Sequence, residues 1–391
     1  MLHRSNAGLA ALAVLTLSAC VDPPTEVVPD NGGPGTEAGD ATSGDGDPSG
    51  DGDPSGDGDP SGDGDPSGDG DPSGDGDPSG DGDPSGDGDG DGDGIEFSAP
   101  ILSQVFAFDT LELADLDADG CADLVLAGTG APPRVLIYPS ACDGTFPGPA
   151  LTRELTSYAD FVLADVDADG RADLLTRPTG EPPRIEVRLT GPDFTLADPV
   201  TSEVWSYDRL WAGDLDGDGR AEAVTHASGG TPPTVHAWTG PGDGSLAALT
   251  SSEVGSFDAA ALGRVDADDY ADLVTGLGQV PVVNPWLGLG DGGFASAALF
   301  WPFTFSTLAL GDLDGDGLDE LLTDVPGNDW RVSIYRNLGP DQAGVFADSP
   351  VDLGAVSYTR LRSADVDGDG DDDVILTPSG APPRVLVLLT Q

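Results

Sequence analysis

The stretch "DVDGDGDDDV" at residues 365–374 places six carboxylates in ten positions with no basic residue among them. Like charges about 5 Å apart repel by roughly 1 kcal/mol in water and roughly 3 kcal/mol at an effective dielectric of 20. A folded chain accepts such a cluster only around a cation. The stretch is not isolated. "ADLDADGCADL" starts at Ala114, "ADVDADGRADL" at Ala164, "GDLDGDGRAEA" at Gly213, "GRVDADDYADL" at Gly263, "GDLDGDGLDEL" at Gly311 and "ADVDGDGDDDV" at Ala364. These are six copies, 48–53 residues apart. A period of that size means a repeat architecture in which each unit buries its face against the next.

Each copy has the same internal order. An apolar stretch ("YADFVLAD") leads into the acidic loop, and a second apolar stretch ("ADLLTR") follows it. Then come Gly and Pro-Pro ("GEPPR"), a third β-rich stretch ("RIEVRL"), a turn and a shorter fourth stretch ("DFTLADPV"). Short runs punctuated by Gly and Pro indicate strands, not helices. Four strands per unit of about 50 residues is the size of a propeller blade. The last copy stops after its third strand, "RVLVLLTQ", while an orphan piece, "GIEFSAPILSQ", precedes the first. The reading is an all-β chain: a six-bladed β-propeller over 95–391, with the N-terminal strand completing the last blade and removing the open edge. A seven-bladed ring is the alternative, and it needs a copy the sequence does not show.

Numbered from its first Asp, the loop carries carboxylates at 1, 3, 5 and 9 and Gly at 6. Alternate side chains converge, Gly permits the sharp turn, and the carbonyl at 7 adds an oxygen. An all-oxygen set in a flexible loop suits Ca²⁺ better than Mg²⁺. The expected ligands are Asp115, Asp117, Asp119, the Cys121 carbonyl and Asp123; Asp165, Asp167, Asp169, the Arg171 carbonyl and Asp173; and Asp214, Asp216, Asp218, the Arg220 carbonyl and Glu222. In the last two copies they are Asp312, Asp314, Asp316, the Leu318 carbonyl and Glu320, then Asp365, Asp367, Asp369, the Asp371 carbonyl and Asp373. In the fourth copy Arg264 replaces the first Asp and Asp269 the Gly. That loop is expected to be ion-free, its guanidinium neutralising Asp266, Asp268 and Asp272. The count is therefore five calcium sites.

The pattern is the opening half of an EF-hand loop without its closing Glu, since Leu126 and Thr176 stand at position 12. With strands on either side and a period near 50, it resembles the FG-GAP/VCBS repeat family, the calcium-binding β-propeller of integrin α chains and many bacterial surface proteins. "GAP" itself stands at 130–132 and 380–382. The resemblance covers residues 95–391 and implies a binding, adhesive or structural role.

The rest of the chain reads as a delivery system. His3 and Arg4 precede the apolar run "AGLAALAVLTL", too short to cross a bilayer and right for a signal peptide over 1–19. It ends in "LSAC" (17–20), which resembles the lipobox of bacterial lipoproteins. The resemblance implies lipidation of Cys20 and, with Val21 after it, an outer-membrane lipoprotein at the periplasmic face or the cell surface. Residues 20–94 repeat "GDGDPS" with almost no large apolar side chain, the composition of a disordered spacer. A neutral coil of that length spans roughly 50 Å.

The whole chain has 71 acidic and 15 basic residues, a net charge of −56. That excess excludes nucleic acid, whose phosphates it repels. No Gly-x-Ser-x-Gly nucleophile and no zinc pattern is present, and His226 and His236 lack ligand-like spacing, so no catalytic constellation is expected. An accessory or hydrolase propeller acting on envelope or extracellular polymers is the alternative function.

Seven positions before each loop stands an aromatic, from Phe108 to Tyr358, which reads as a packing wedge. Five and three positions before it the copies differ, and Asp160, Arg209, Trp211, Arg360 and Arg362 form a candidate surface for an unknown protein or glycan ligand. Cys121 and Cys142 fall in loops on the same rim of the first blade, and export permits a disulfide between them.

Overall fold

The computed structural model describes residues 95–148, 151–324, 331–354 and 357–391. The signal peptide, Cys20 and the spacer lie outside the described residues.

Strand β1 (Ile101–Gln104) comes first in the chain and is used last. Blade 1 is β2 (Phe108–Ala114), β3 (Asp123–Gly128), β4 (Arg134–Tyr138) and β5 (Leu151–Glu154). Blade 2 is β6 (Tyr158–Ala164), β7 (Asp173–Pro178) and β8 (Arg184–Arg188), a small β9 (Thr190–Gly191)–β10 (Thr195–Leu196) hairpin, and β11 (Val200–Glu203). Blade 3 is β12 (Arg209–Gly213), β13 (Glu222–His226), β14 (Thr234–Thr239) and β15 (Ala247–Glu253). Blade 4 is β16 (Ala259–Gly263), β17 (Asp272–Leu277), β18 (Val282–Gly288) and β19 (Phe294–Ser296). Blade 5 is β20 (Leu308–Gly311), β21 (Glu320–Asp324), β22 (Arg331–Tyr335) and β23 (Val351–Gly354). Blade 6 is β24 (Tyr358–Ala364), β25 (Asp373–Pro378), β26 (Arg384–Leu388) and, as its outermost strand, β1.

Ile101 pairs with Val387 and Gln104 with Arg384, so the two ends of the described chain share one sheet. This is the six-bladed, all-β ring with the closure expected from the sequence, and the described residues form no seventh blade.

The second strand of each blade is largely buried, and in blade 5 all four residues of the first strand, β20, are buried too. All six residues of β3 are inaccessible, because neighbouring blades cover both of its faces. The cores therefore lie between blades: Leu111, Leu124 and Leu126 of blade 1 pack on Val366, Ile375, Val385 and Val387 of blade 6. Each fully buried leucine contributes about 1.5–3 kcal/mol.

Backbone bonds also join each blade to the next. The N–H of loop position 8 donates to the carbonyl of position 1 in the preceding blade: Ala172 to Asp115 (2.7 Å), Ala221 to Asp165 (2.7 Å), Ala271 to Asp214 (2.6 Å), Asp319 to Arg264 (2.6 Å), Asp372 to Asp312 (2.5 Å) and Ala122 to Asp365 (2.7 Å). The last bond closes the circle. The ring therefore passes through the acidic loops, and their backbone path sets the spacing of the blades. On the other rim the wedge aromatics tie blades together. Tyr158, Tyr207 and Tyr358 donate their hydroxyls to the carbonyls of Arg134, Arg184 and Arg331 in the preceding blade.

Candidate metal loops and axial cavity

Five of the six acidic loops share one backbone form. Position 6 is left-handed at Gly120, Gly170, Gly219, Gly317 and Gly370, with φ between +83° and +100°. Position 4 is left-handed as well, at Ala118 (64°), Ala168 (60°), Gly217 (76°), Gly315 (68°) and Gly368 (77°). Two left-handed residues in one loop curl the chain so that its first carboxylate receives backbone N–H groups. Asp115 accepts from Ala118 through Oδ1 (2.7 Å) and from Gly120 through Oδ2 (2.8 Å). Asp165 and Asp214 accept from Gly170 and Gly219 in the same way.

Position 9 does different work. Asp173 is fully buried; its Oδ2 accepts from Val166 N–H (3.0 Å) and its Oδ1 from Thr190 N–H (2.7 Å). One carboxylate thus pins the loop to the start of the next connection. Asp123 and Asp373 repeat this with Leu116 and Ser140, and with Val366 and Thr390. Glu222 and Glu320 use their longer arms for the same purpose, reaching Leu215 N–H and the Thr239 hydroxyl, or Leu313 and Asn337 N–H.

The carboxylates converge as well. Ligand atoms of Asp115, Asp117 and Asp123 lie within 4.8 Å of one another, as do those of Asp165, Asp167 and Asp173 and of Asp214, Asp216 and Asp218. Burial pushes Asp123, Asp173 and Glu222 up to about 7 and Glu320 up to about 8, and neighbouring carboxylates add to it. Asp117, Asp167, Asp314 and Asp367 are raised for the same two reasons. Arg336, 4.0 Å from Asp314, and Arg171 beside Asp167 offset only part of this crowding. An all-oxygen donor set of this kind fits a hard divalent cation.

Position 5 is partly diverted in two loops, a feature the repeat pattern did not reveal. The Arg171 and Arg220 side chains close directly on the carboxylates of Asp169 and Asp218, two residues before them. The expected ligands Arg171 and Arg220 thus bring a cation of their own to the loop edge. The only available signal was the Asp-Gly-Arg order.

Loop 4 corrects one expectation. Arg264 does not fill the loop. Its guanidinium donates to the Asp268 carbonyl (3.0 Å) and pairs with the exposed Asp269 (3.8 Å). Asp266, Asp268 and Asp272 still converge, and Arg264 offsets only part of the crowding at Asp268. What sets this loop apart is its backbone: neither Ala267 nor Asp269 is left-handed, so the curl of the other five is missing. An arginine at position 1 prefers the solvent and the Asp269 carboxylate to burial beside Asp272.

Cys121 and Cys142 form a disulfide in the structure, with Cα atoms 5.6 Å apart, linking the acidic loop of blade 1 to its β4–β5 connection.

The innermost strands surround an axial cavity of about 470 Å³. All five residues singled out by their variation between copies line it: Asp160, Arg209, Trp211, Arg360 and Arg362. Glu112 lines it too. Its carboxylate is held by Arg362 through two bonds, Nε to Oε2 at 3.0 Å and Nη2 to Oε1 at 2.8 Å, across the junction of blades 6 and 1. Burial raises Asp160, whose Oδ1 accepts from Phe161 N–H (3.0 Å). The wall contributed by blades 4 and 5 is apolar, with Ala261, Leu262, Ala309 and Leu310.

The FG-GAP-like repeat family matches residues 115–176 and 312–376, spanning the acidic loops of blades 1 and 2 and of blades 5 and 6. The chain carries FG-GAP-like repeats in a six-bladed β-propeller. The propeller is similar in fold to part of the Tc holotoxin pore of Photorhabdus luminescens, at 20% identity and a TM-score of 0.51 over 74% of this chain. The match spans only 14% of the toxin chain. Looser similarities are to the PQQ-bound aldose sugar dehydrogenase of Streptomyces coelicolor (15% identity, TM-score 0.43, 75% of this chain and 99% of that one) and to BBS1N in complex with ARL6DN (12%, 0.44, 76% and 97%). No curated protein matches the sequence.

Proposed function

We propose that this propeller is a calcium-stabilised recognition module displayed on the bacterial cell envelope through lipidated Cys20, with residues 21–94 as its spacer. The observation that carries the reading is the ring of position-8 N–H to position-1 carbonyl bonds through the acidic loops. The loops that gather carboxylates are also the joints between blades. A divalent cation seated in a loop neutralises the cluster and sets the joint, leaving the opposite rim and the axial cavity for a partner. The Asp and Glu side chains of five loops would hold the ions, and the ions would supply charge neutralisation.

A glycoside hydrolase typically uses a pair of carboxyl groups, one as acid and one as base or nucleophile. Glu112 is engaged by Arg362, which favours binding over catalysis.

Calorimetric titration of the EDTA-stripped full chain with calcium is expected to count five ions and raise the melting temperature. Absence of both uptake and stabilisation would refute the calcium reading. Incorporation of labelled palmitate in cells, lost in Cys20→Ser, tests the anchor; equal labelling of both proteins would refute it.

A further inference from the structure

We propose that the axial cavity is a binding site for a small carboxylate-bearing ligand, held between Arg209 and Arg360 and packed against Trp211. This rests on the binding reading above and supplies its ligand class.

The cavity runs against the charge of the chain. The protein carries −56, yet three arginines, Arg209, Arg360 and Arg362, line the cavity against two carboxylates, Glu112 and Asp160. Blade 6 brings two arginines to one acid of blade 1, and that acid is spent on Arg362 through both its oxygens. Arg360 is left to donate to the backbone carbonyl of Asp109. Loss of solvent and then Arg362 beside it press on its charge, Glu112, Asp109 and Asp160 offset part of that, and a bound anion would relieve the rest.

On the opposite side of the ring, three blades away, Arg209 lies 5.6 Å over the face of Phe257. The acid next to it, Asp208, is engaged by the Ser228 backbone N–H and hydroxyl. Among the described residues, neither Arg209 nor Arg360 has a carboxylate oxygen within 4.0 Å, although eight other arginines do.

Two arginines that line one cavity without an ion-pair partner among the described residues are suited to a carboxylate, because a planar fork of donors matches its two oxygens. Trp211 orients the rest of the ligand. Its indole N–H is already donated to the Ala260 carbonyl (3.2 Å), so the ring is fixed and offers apolar surface. The apolar wall of blades 4 and 5 accepts the uncharged part. A volume of about 470 Å³ admits a molecule of monosaccharide size or somewhat larger. The chemistry is shared by acidic sugars and simple organic acids.

Calorimetry on the calcium-saturated full chain separates these sources, with glucuronate and glutarate as probes and glucose as the neutral control. Glucuronate or glutarate, or both, are expected to bind at least about tenfold more tightly than glucose, whose hydroxyls do not use the guanidinium charge. Arg209→Gln and Arg360→Gln are each expected to weaken binding about tenfold. Asp160→Asn removes a competing negative charge and is expected to tighten it about threefold, with circular dichroism unchanged. No heat from either anion, glucose binding as tightly as the anions, or unchanged affinity in both arginine variants would overturn the proposal. Anion binding that persists where calcium uptake is absent would refute the calcium reading and support this one.

Discussion

The pH response of the calcium-free propeller follows from the position-9 carboxyls. Asp173 is fully buried, and burial pushes its pKa from 3.8 to about 7. Asp123, Asp272 and Glu222 reach about 7, Glu320 about 8 and Asp373 about 6. In the unfolded chain these groups ionise near 4. Between pH 4 and 7 the native state therefore holds protons that the unfolded state has released. Stability falls as pH rises through that window, by about 1.4 kcal/mol per pH unit for each such group. A shift of about three units makes the full loss about 4 kcal/mol for Asp173. Domains are stable by about 5–15 kcal/mol in total, so a few such groups acting together consume most of it. Under the proposed calcium reading, a bound ion would take the place of the proton and remove the dependence.

The assay is thermal and urea unfolding of the full chain, followed by circular dichroism at pH 5, 6, 7 and 8, in EDTA and in calcium. In EDTA the protein is expected to be most stable at pH 5 and to lose structure by pH 8; in calcium the profile is expected to be flat or inverted. Charge repulsion also grows with pH, so Asp173→Asn isolates the group: in EDTA the slope between pH 5 and 7 should become shallower by about 1.4 kcal/mol per pH unit. Stability in EDTA that rises from pH 5 to pH 8, or an unchanged slope in Asp173→Asn, would refute the reasoning.

Other expectations follow from single contacts. Asp272→Ala leaves the N–H groups of Val265 and Gly288 without an acceptor and should cost about 2–6 kcal/mol in urea unfolding, in calcium and in EDTA alike. Cys142→Ser opens the disulfide that closes a sequence separation of 21 residues, and a loss of about 2–4 kcal/mol is expected in the same measurement. Tyr207→Phe removes the hydroxyl bond to the Arg184 carbonyl across the blade 2–3 junction; a loss of about 0.5–1.5 kcal/mol with unchanged calcium uptake marks that tyrosine as an interblade tie.

The repeat period and the alternation of apolar runs with Gly and Pro determined the blades, because four short strands per unit can bury their faces only against neighbouring units. The incomplete sixth copy and the orphan N-terminal strand implied the closure that Ile101 and Val387 make. The spacing of Asp at 1, 3, 5 and 9 likewise announced convergent carboxylates, since alternate side chains of a tight loop share a side. Side-chain direction was not legible. Arg264 stands where an ion partner is missing, yet it turns toward Asp269, because hydration and an exposed carboxylate compete with burial. Arg171 and Arg220 looked like bystanders supplying carbonyls, and their guanidiniums lie on Asp169 and Asp218. Variation between copies marked Arg360, Arg362 and Arg209. Only the ring, which sets blade 6 beside blade 1 and opposite blade 3, decided that Glu112 neutralises one of the three and leaves two facing a common space.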